Sequence, residues 1–359
     1  MASKQPHNTK LMKMVFIITR HGRRTPCFPE SFFNMKHQPF QLEHPPYTYI
    51  PVQCVCNEAK KNRAISVNEE GILGQLTKQG AEDQFELGET LRQRYIIEKK
   101  LLTDEFDKND VMVRSSRRKR TFESARCVLA GMYPKYNNNK KISINLDESK
   151  YKDILCPPNP YPIMVSEELK KNPLLLPGLS EAIRKVKEQL PVKEDFDLFQ
   201  LYDNIETLKA SDMCFPISKE MESTISKYGY DWFERTTIGT ERNRFNVVQA
   251  AIGLLVNFIL NNVENLLHQK LAQKFFLLSG HDYTLFCILN AVGFEFTGVP
   301  PTSSFMSIEI YEDSQNGEWS ANCAYNMVKD QAQTFMLEHF VKVLGKFRLT
   351  PETYKKKFL

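Results

Sequence analysis

Three short unbroken apolar runs stand out along the chain: Met14-Val-Phe-Ile-Ile-Thr19, Val111-Met-Val113 and Phe275-Phe-Leu-Leu278. Each is too short for a helix and carries apolar side chains at consecutive positions, which predicts strands buried on both faces of an α/β sheet. Helical spacing fills the intervals. Thr77 can cap a helix to about Tyr95 with Phe85, Gly88, Leu91 and Tyr95 along one face. Phe122, Ala125, Leu129 and Ala130 repeat the pattern up to Gly131, expected as a C-cap. Leu285 to Val292 reads as an apolar helix. Met306, Ile308 and Ile310 alternate with Ser307 and Glu309, and Trp319, Ala321, Cys323 and Tyr325 alternate on the return. Asn316-Gly317 between them signals a hairpin with a type I′ turn.

Two stretches break this order. Phe28 to Asn68 has no sustained period and reads as a long functional loop. Residues 132–240 replace strand signals with Asn137-Asn-Asn139, Pro157-Pro158, Pro160, Pro162 and short helical windows such as Glu181 to Gln189. The expected organisation is an α/β core formed by 1–131 and 241–359, with 132–240 inserted as a mostly helical cap.

The chain has 359 residues with 48 Lys+Arg against 43 Asp+Glu, and 42 % hydrophobic residues, enough for a real core and unlike a disordered chain. A net charge of +5 is too diluted to predict a nucleic-acid partner, so any basic site must be local. The most apolar window, Val247 to Leu260, is interrupted by Gln249 and Asn257, and no transmembrane segment is expected. Met1 to Lys13 lacks the apolar stretch of a secretory signal and the chain has no Asn-x-Ser/Thr sequon, so the eight cysteines are expected reduced. Cys54 and Cys56 form a lone C-x-C that reads as two loop cysteines rather than a zinc site.

Phosphate-binding G-x-x-x-x-G-K-[ST], dinucleotide G-x-G-x-x-G and zinc H-E-x-x-H motifs are all absent, and Ser279 lacks the preceding Gly of a nucleophile elbow. What remains lies just past three predicted strands: Arg20, His21 and Arg24; Arg114; His281 and Asp282. Open α/β sheets bind ligands at the carboxyl ends of their strands. Three guanidiniums there can hold phosphate oxygens through forked, charge-assisted bonds. His21, set between Arg20 and Arg24, would face the phosphorus as a neutral nucleophile, and Asp282, if protonated, could supply the leaving group's proton. No metal and no cofactor is expected. The run Arg117-Arg-Lys-Arg120 reads as a solvated helix start.

Arg20-His21-Gly22-Arg23-Arg24-Thr25-Pro26, Val113-Arg114-Ser115-Ser116 with Arg120-Thr121 behind it, and His281-Asp282 resemble the histidine acid phosphatases. Gly74 to Gly80 and Glu86 to Arg92 are similar to the stretch between those motifs. The resemblance implies a three-layer core with a mixed, largely parallel sheet, a helical cap, His21 as nucleophile, Asp282 as proton donor, and Arg20, Arg24, Arg114 and His281 as phosphate ligands. Within the family the chain is most similar to the lysophosphatidic acid phosphatases, through Glu123 to Gly131, Leu176 to Glu181 with Lys185 to Lys187, Tyr202-Asp-Asn204 and Leu349 to Tyr354. This implies a phosphohistidine mechanism on lysophosphatidic acid, giving monoacylglycerol and phosphate, with small phosphomonoesters or phosphotyrosine as the alternative. Phe28, Phe32, Phe33, Tyr47 and Tyr49 could then line an acyl-chain groove, although aromatics in a long loop more often pack it down. The cytoplasm is the expected compartment, with the mitochondrion as the alternative. Phosphoglycerate mutases share R-H-G but lack the second Arg, the Pro and the H-D pair. A non-catalytic phosphate-binding protein would be expected to lack the nucleophile or the donor, and both are present.

Overall fold

The computed structural model describes residues 9–28, 40–55, 73–136, 140–146, 153–171, 176–190, 192, 196, 198–213, 217–270 and 273–359. The strands are β1 (Lys10–Arg20), β2 (Val52–Val55), β3 (Val111–Ser115), β4 (Ile142–Asn145), β5 (Phe275–Gly280), β6 (Phe305–Asp313), β7 (Trp319–Tyr325) and β8 (Ala332–Met336). The helices are α1 (Lys78–Arg92), α2 (Lys119–Met132), α3 (Tyr161–Lys171), α4 (Leu179–Gln189), α5 (Leu198–Ala210), α6 (Lys219–Thr237), α7 (Arg244–Leu267), α8 (Asp282–Ala291), α9 (Leu337–Gly345) and α10 (Pro351–Phe358).

One mixed sheet has the order β2-β4-β3-β5-β1-β6-β7-β8. The pairs from β2 to β1 are parallel and those from β1 to β8 antiparallel. The unbroken apolar runs follow from this placement. In β1, Met14, Phe16 and Ile18 face a core built with α7, α8 and α9, while Val15 and Ile17 face a second core built with α1 and α2. Thr77 caps α1 by accepting from Gly80 N, and the helix continues through a π-helical turn at Gln93–Glu98. α7 is 24 residues long and, by length and composition alone, could cross a membrane, unlike the shorter Val247 to Leu260 stretch. Its burial against the sheet accounts for that apolarity, since 72 % of its most apolar window lies inside the protein.

Four expectations change. β4 belongs to the sheet although it falls inside 132–240, and β2 falls inside the stretch expected to be loop; both are four-residue strands made by pairing with neighbours. Helices α4, α5 and α6 beyond β4 gather a hydrophobic cluster of their own around Val186, Leu201, Tyr202, Ile205 and Ile225. Gly131 is not a cap. It lies within α2, where a Cβ would sit 2.1 Å from Phe85 O, and the reciprocal Gly88 would meet Val128 O at 2.1 Å. The β6–β7 connection is longer than a type I′ turn: only Gly317 there has positive φ, while Asp313 and Asn316 side chains accept backbone N–H bonds within the loop.

Candidate active site

The parallel register aligns the carboxyl ends of the central strands: Arg20 lies opposite Gly280, and Ser115 opposite Ser279. The segment after β1 is then clamped to the start of α1. Thr77 N donates to Arg23 O at 3.0 Å, Thr25 N to Gln75 O at 2.9 Å, and Arg24 forms an antiparallel bridge with Leu76. This approach requires Gly22, because a Cβ there would sit 2.3 Å from Gly80 O.

Within this frame Arg20, His21, Arg24, His281 and Asp282 come together. His21 is only 2 % exposed, and its ring centroid lies 5.6 Å from that of His281. His21 Nδ1 is 2.9 Å from Gly22 O, a carbonyl that can only accept, so Nδ1 carries the proton and Nε2 the lone pair in the neutral ring. Burial, followed by the positive fields of Arg120, Arg20, His281 and Arg24, lowers the His21 pKa well below 6.5. Burial and Arg120 do the same for His281, whose Nε2 is 2.9 Å from Ser116 Oγ.

The arginines divide between two carboxylates. Arg20 Nη2 pairs with Asp282 Oδ2 at 2.8 Å, and Arg20 Nη1 donates to Pro300 O. Arg24 Nη2 donates to both Asp203 oxygens, at 2.8 and 2.9 Å. Among the described residues the buried Nε groups of Arg20 and Arg24 find no acceptor. Burial pushes the Asp282 carboxyl up, but Arg20, His281, the Tyr283 N–H and Arg24 outweigh it and hold the pKa below 3.8. These neighbours favour the ionised form of Asp282, whereas proton delivery needs its acid form.

Arg114 is placed differently from its expected role. It lies one residue before the end of β3 on the strand face covered by α7, with its guanidinium 5.0 Å from the Phe258 ring centre. Arg120, in the first turn of α2, is instead the leading cation acting on His21 and His281. Arg118 adds to it at His281, so two cations of the Arg117 to Arg120 run reach the site through their charge, Arg120 the more strongly. Its signal in the sequence was position, one turn into a helix that follows a strand end, rather than charge density. Arg23 binds Asp83 at 2.8 Å and Ala210 O at 3.0 Å, tying the end of α5 to the core. Asp203 stood out in the sequence only as part of the Tyr202-Asp-Asn204 segment of the subgroup resemblance, with no role attached to it.

Two cavities converge on Asp282. The first, of about 370 Å³, is lined by Arg20, Arg24, Tyr202, Asp203, Glu206 and Asp282. The second, of about 280 Å³, shares Phe199, Phe233 and Asp282 with the first and continues past Trp232 and Tyr283 to Pro162. Tyr47 and Tyr49 line neither and instead pack their segment down, the more frequent role of aromatics in a long loop. Tyr47 packs edge-on against Phe85 of α1, and Tyr49 lies under Arg126 of α2. Phe28 is half-buried and lines neither cavity, and Phe32 and Phe33 lie outside the described residues.

Comparison with known proteins places this geometry. Residues 11–344 match the family described as the histidine phosphatase superfamily (branch 2). The chain is 27 % identical to lysophosphatidic acid phosphatase type 6 of Mus musculus, over 96 % of this chain and 87 % of that protein. It is 26 % identical to testicular acid phosphatase of Mus musculus, over 68 % and 61 %. Among solved structures, the apo phytase of Hafnia alvei superposes with a TM-score of 0.65 at 12 % identity, covering 97 % of this chain and 99 % of the phytase, a likeness of fold alone.

Proposed function

Because the chain belongs to branch 2 of the histidine phosphatase superfamily and is a phosphoric monoester hydrolase, we propose that it acts through a phosphohistidine on His21 and that its substrate is lysophosphatidic acid. The substrate phosphate enters between Arg20, Arg24 and Arg120, with His281 as a further donor. The His21 Nε2 lone pair attacks phosphorus, the bond from phosphorus to the leaving oxygen breaks, and Asp282 delivers a proton to that oxygen. Water then attacks the phosphohistidine, Asp282 takes up the water's proton, and phosphate leaves with His21 neutral again. The cations spread the charge of the equatorial oxygens, the main contribution in phosphoryl transfer. Asp282 acquires its proton because the bound phosphate draws on the Arg20 charge that holds the carboxyl ionised. At mildly acidic pH the phosphate monoanion itself brings that proton, since its second pKa is about 6.

The convergence on Asp282 of an arginine-bearing cavity and a second, apolar one is the observation that carries the substrate reading. A monoester with one phosphate and an alkyl chain uses both, and each buried CH₂ contributes about 0.8 kcal/mol. The test is a panel of glycerol phosphate and lysophosphatidic acids of increasing acyl length in detergent. kcat/KM is expected to rise with chain length, and Phe199→Ala with Trp232→Ala to flatten the rise while sparing an aryl phosphate. Equal efficiency for glycerol phosphate and its acylated forms would leave a general acid phosphatase. Among the described residues no cluster of His, Cys, Asp and Glu could hold a metal, so turnover should persist after exhaustive chelation.

A further inference from the structure

On one face of the protein, cations and exposed apolar side chains are interleaved. Lys355, Lys356 and Lys357 are exposed on α10, and Arg242 and Arg244 are exposed at the start of α7. The two groups meet at Lys357, whose Nζ lies 5.7 Å from the Phe245 ring centre and 5.3 Å from that of Phe358, and donates to Asn246 at 2.9 Å. Among the described residues Arg242, Arg244, Lys355 and Lys356 form no ion pair with a carboxylate. Glu241 and Glu352 are the acidic residues on these two segments, and α3 adds exposed Glu167 and Glu168 against exposed Lys171, so cations still outnumber carboxylates on the face.

The apolar members are large. Phe245 is 47 % exposed, Met164 57 % and Ile163 71 %. Met164 stands one helical turn beyond Tyr161, whose ring packs edge-on against Phe358 at 6.3 Å, so α3 shares the patch with α7 and α10. A merely solvated lysine face has no reason to leave such side chains in water, whereas lysines flanking insertable apolar groups are what a peripheral lipid-binding face carries. The patch also borders the apolar cavity. The outer lining of that cavity is Pro157, Asn159 and Pro162 at the start of α3, and Tyr354 of α10 donates to the intervening Pro158 O at 2.6 Å.

We propose that the face formed by α3, the start of α7 and α10 docks the protein on an anionic lipid bilayer, with the apolar cavity opening toward the membrane. The cations are attracted by acidic headgroups across roughly a Debye length, about 10 Å, and Phe245 and Met164 enter the headgroup boundary. The delivery of substrate from the membrane rests on the lysophosphatidic acid reading; the docking does not.

The test is co-sedimentation of the full chain with phosphatidylcholine vesicles, with and without phosphatidylserine. Binding is expected only with phosphatidylserine and should weaken as salt rises. The double reversal Lys355→Glu/Lys356→Glu, which leaves the bonded Lys357 in place, should lower partitioning by about tenfold or more. Phe245→Ser/Met164→Ser should lower it too, and both variants should hydrolyse a soluble aryl phosphate as the parent does. Failure to bind, indifference to lipid charge, indifference to the reversals, or a preference for RNA over vesicles would each overturn the docking. Vesicle binding without lysophosphatidic acid turnover in detergent would overturn the substrate reading and leave the docking standing. Turnover without vesicle binding would do the reverse.

Discussion

Arg24 enters the ligand-free site already engaged. Its guanidinium is forked onto Asp203, so an incoming phosphate must displace or share that carboxylate. Asp203→Asn should therefore lower the Ki of inorganic phosphate, by about three- to tenfold for the loss of one competing charge-assisted contact; a higher Ki would mean that Asp203 positions Arg24 instead. The two candidate third arginines separate by the same logic. Arg120→Ala should cost about a hundred- to a thousandfold in kcat/KM, the usual effect of removing one preorganised donor. Arg114→Ala should mainly reduce stability, because its guanidinium lies on Phe258. Steady-state kinetics on both variants, with thermal unfolding alongside, checks the assignment. For His21, the Nδ1–H tautomer and a pKa held well below 6.5 predict ring ¹⁵N shifts that do not titrate near pH 6.5.

At the scale of elements, α1 and α2 pack backbone against backbone, a close approach that Gly88 and Gly131 permit. The contact matters to the site because α1 carries the Thr77 cap and the Asp83 partner of Arg23, while α2 carries Arg120. Gly88→Ala should destabilise the protein by about 1–3 kcal/mol in denaturant titrations, the cost of overpacking a rigid contact. It should also lower kcat, since the separated helices would carry Arg120 away from His21. An alanine tolerated without loss of stability would show that the helices can slide apart freely. Helix α8 starts directly at Asp282 after His281, so its N-terminal end faces the anion-binding region and favours the ionised carboxylate.

For the whole molecule the decisive quantity is acid stability. His21 and His281 are buried and neutral in the fold, whereas the unfolded chain protonates them near pH 6.5. Below that pH the unfolded state binds more protons, so stability falls as pH drops toward the folded-state values. Asp282 and Glu309, whose carboxyls are lowered in the fold, act in the same direction further into acid. Tm is expected to decline between pH 7 and pH 5 and to recover on adding phosphate, which binds the native state alone. His21→Asn should make the decline shallower. Calorimetry showing a flat Tm across that interval would contradict the buried neutral histidines.

Much of this was written into local sequence. Central strands β1, β3 and β5 are unbroken apolar runs because both faces are covered, and that pattern survives without knowledge of the partners. The cap at Thr77, the β6–β7 hairpin and the motif residues at strand ends were legible for the same reason: each depends on neighbours in the chain. The edge strand β2 and its neighbour β4 were not, since Val-Gln-Cys-Val becomes a strand by pairing with β4, and Ile-Ser-Ile-Asn by pairing with β2 and β3. Nor was the leading influence of Arg120 on the two histidines, which depends on where α2 begins relative to the strand ends. The Asp203 bond to Arg24 joins residues 179 positions apart, and it exists because α5 packs over the strand ends. Periodicity and motifs record what a residue needs from its surroundings; only the packing of distant elements determines which residues meet.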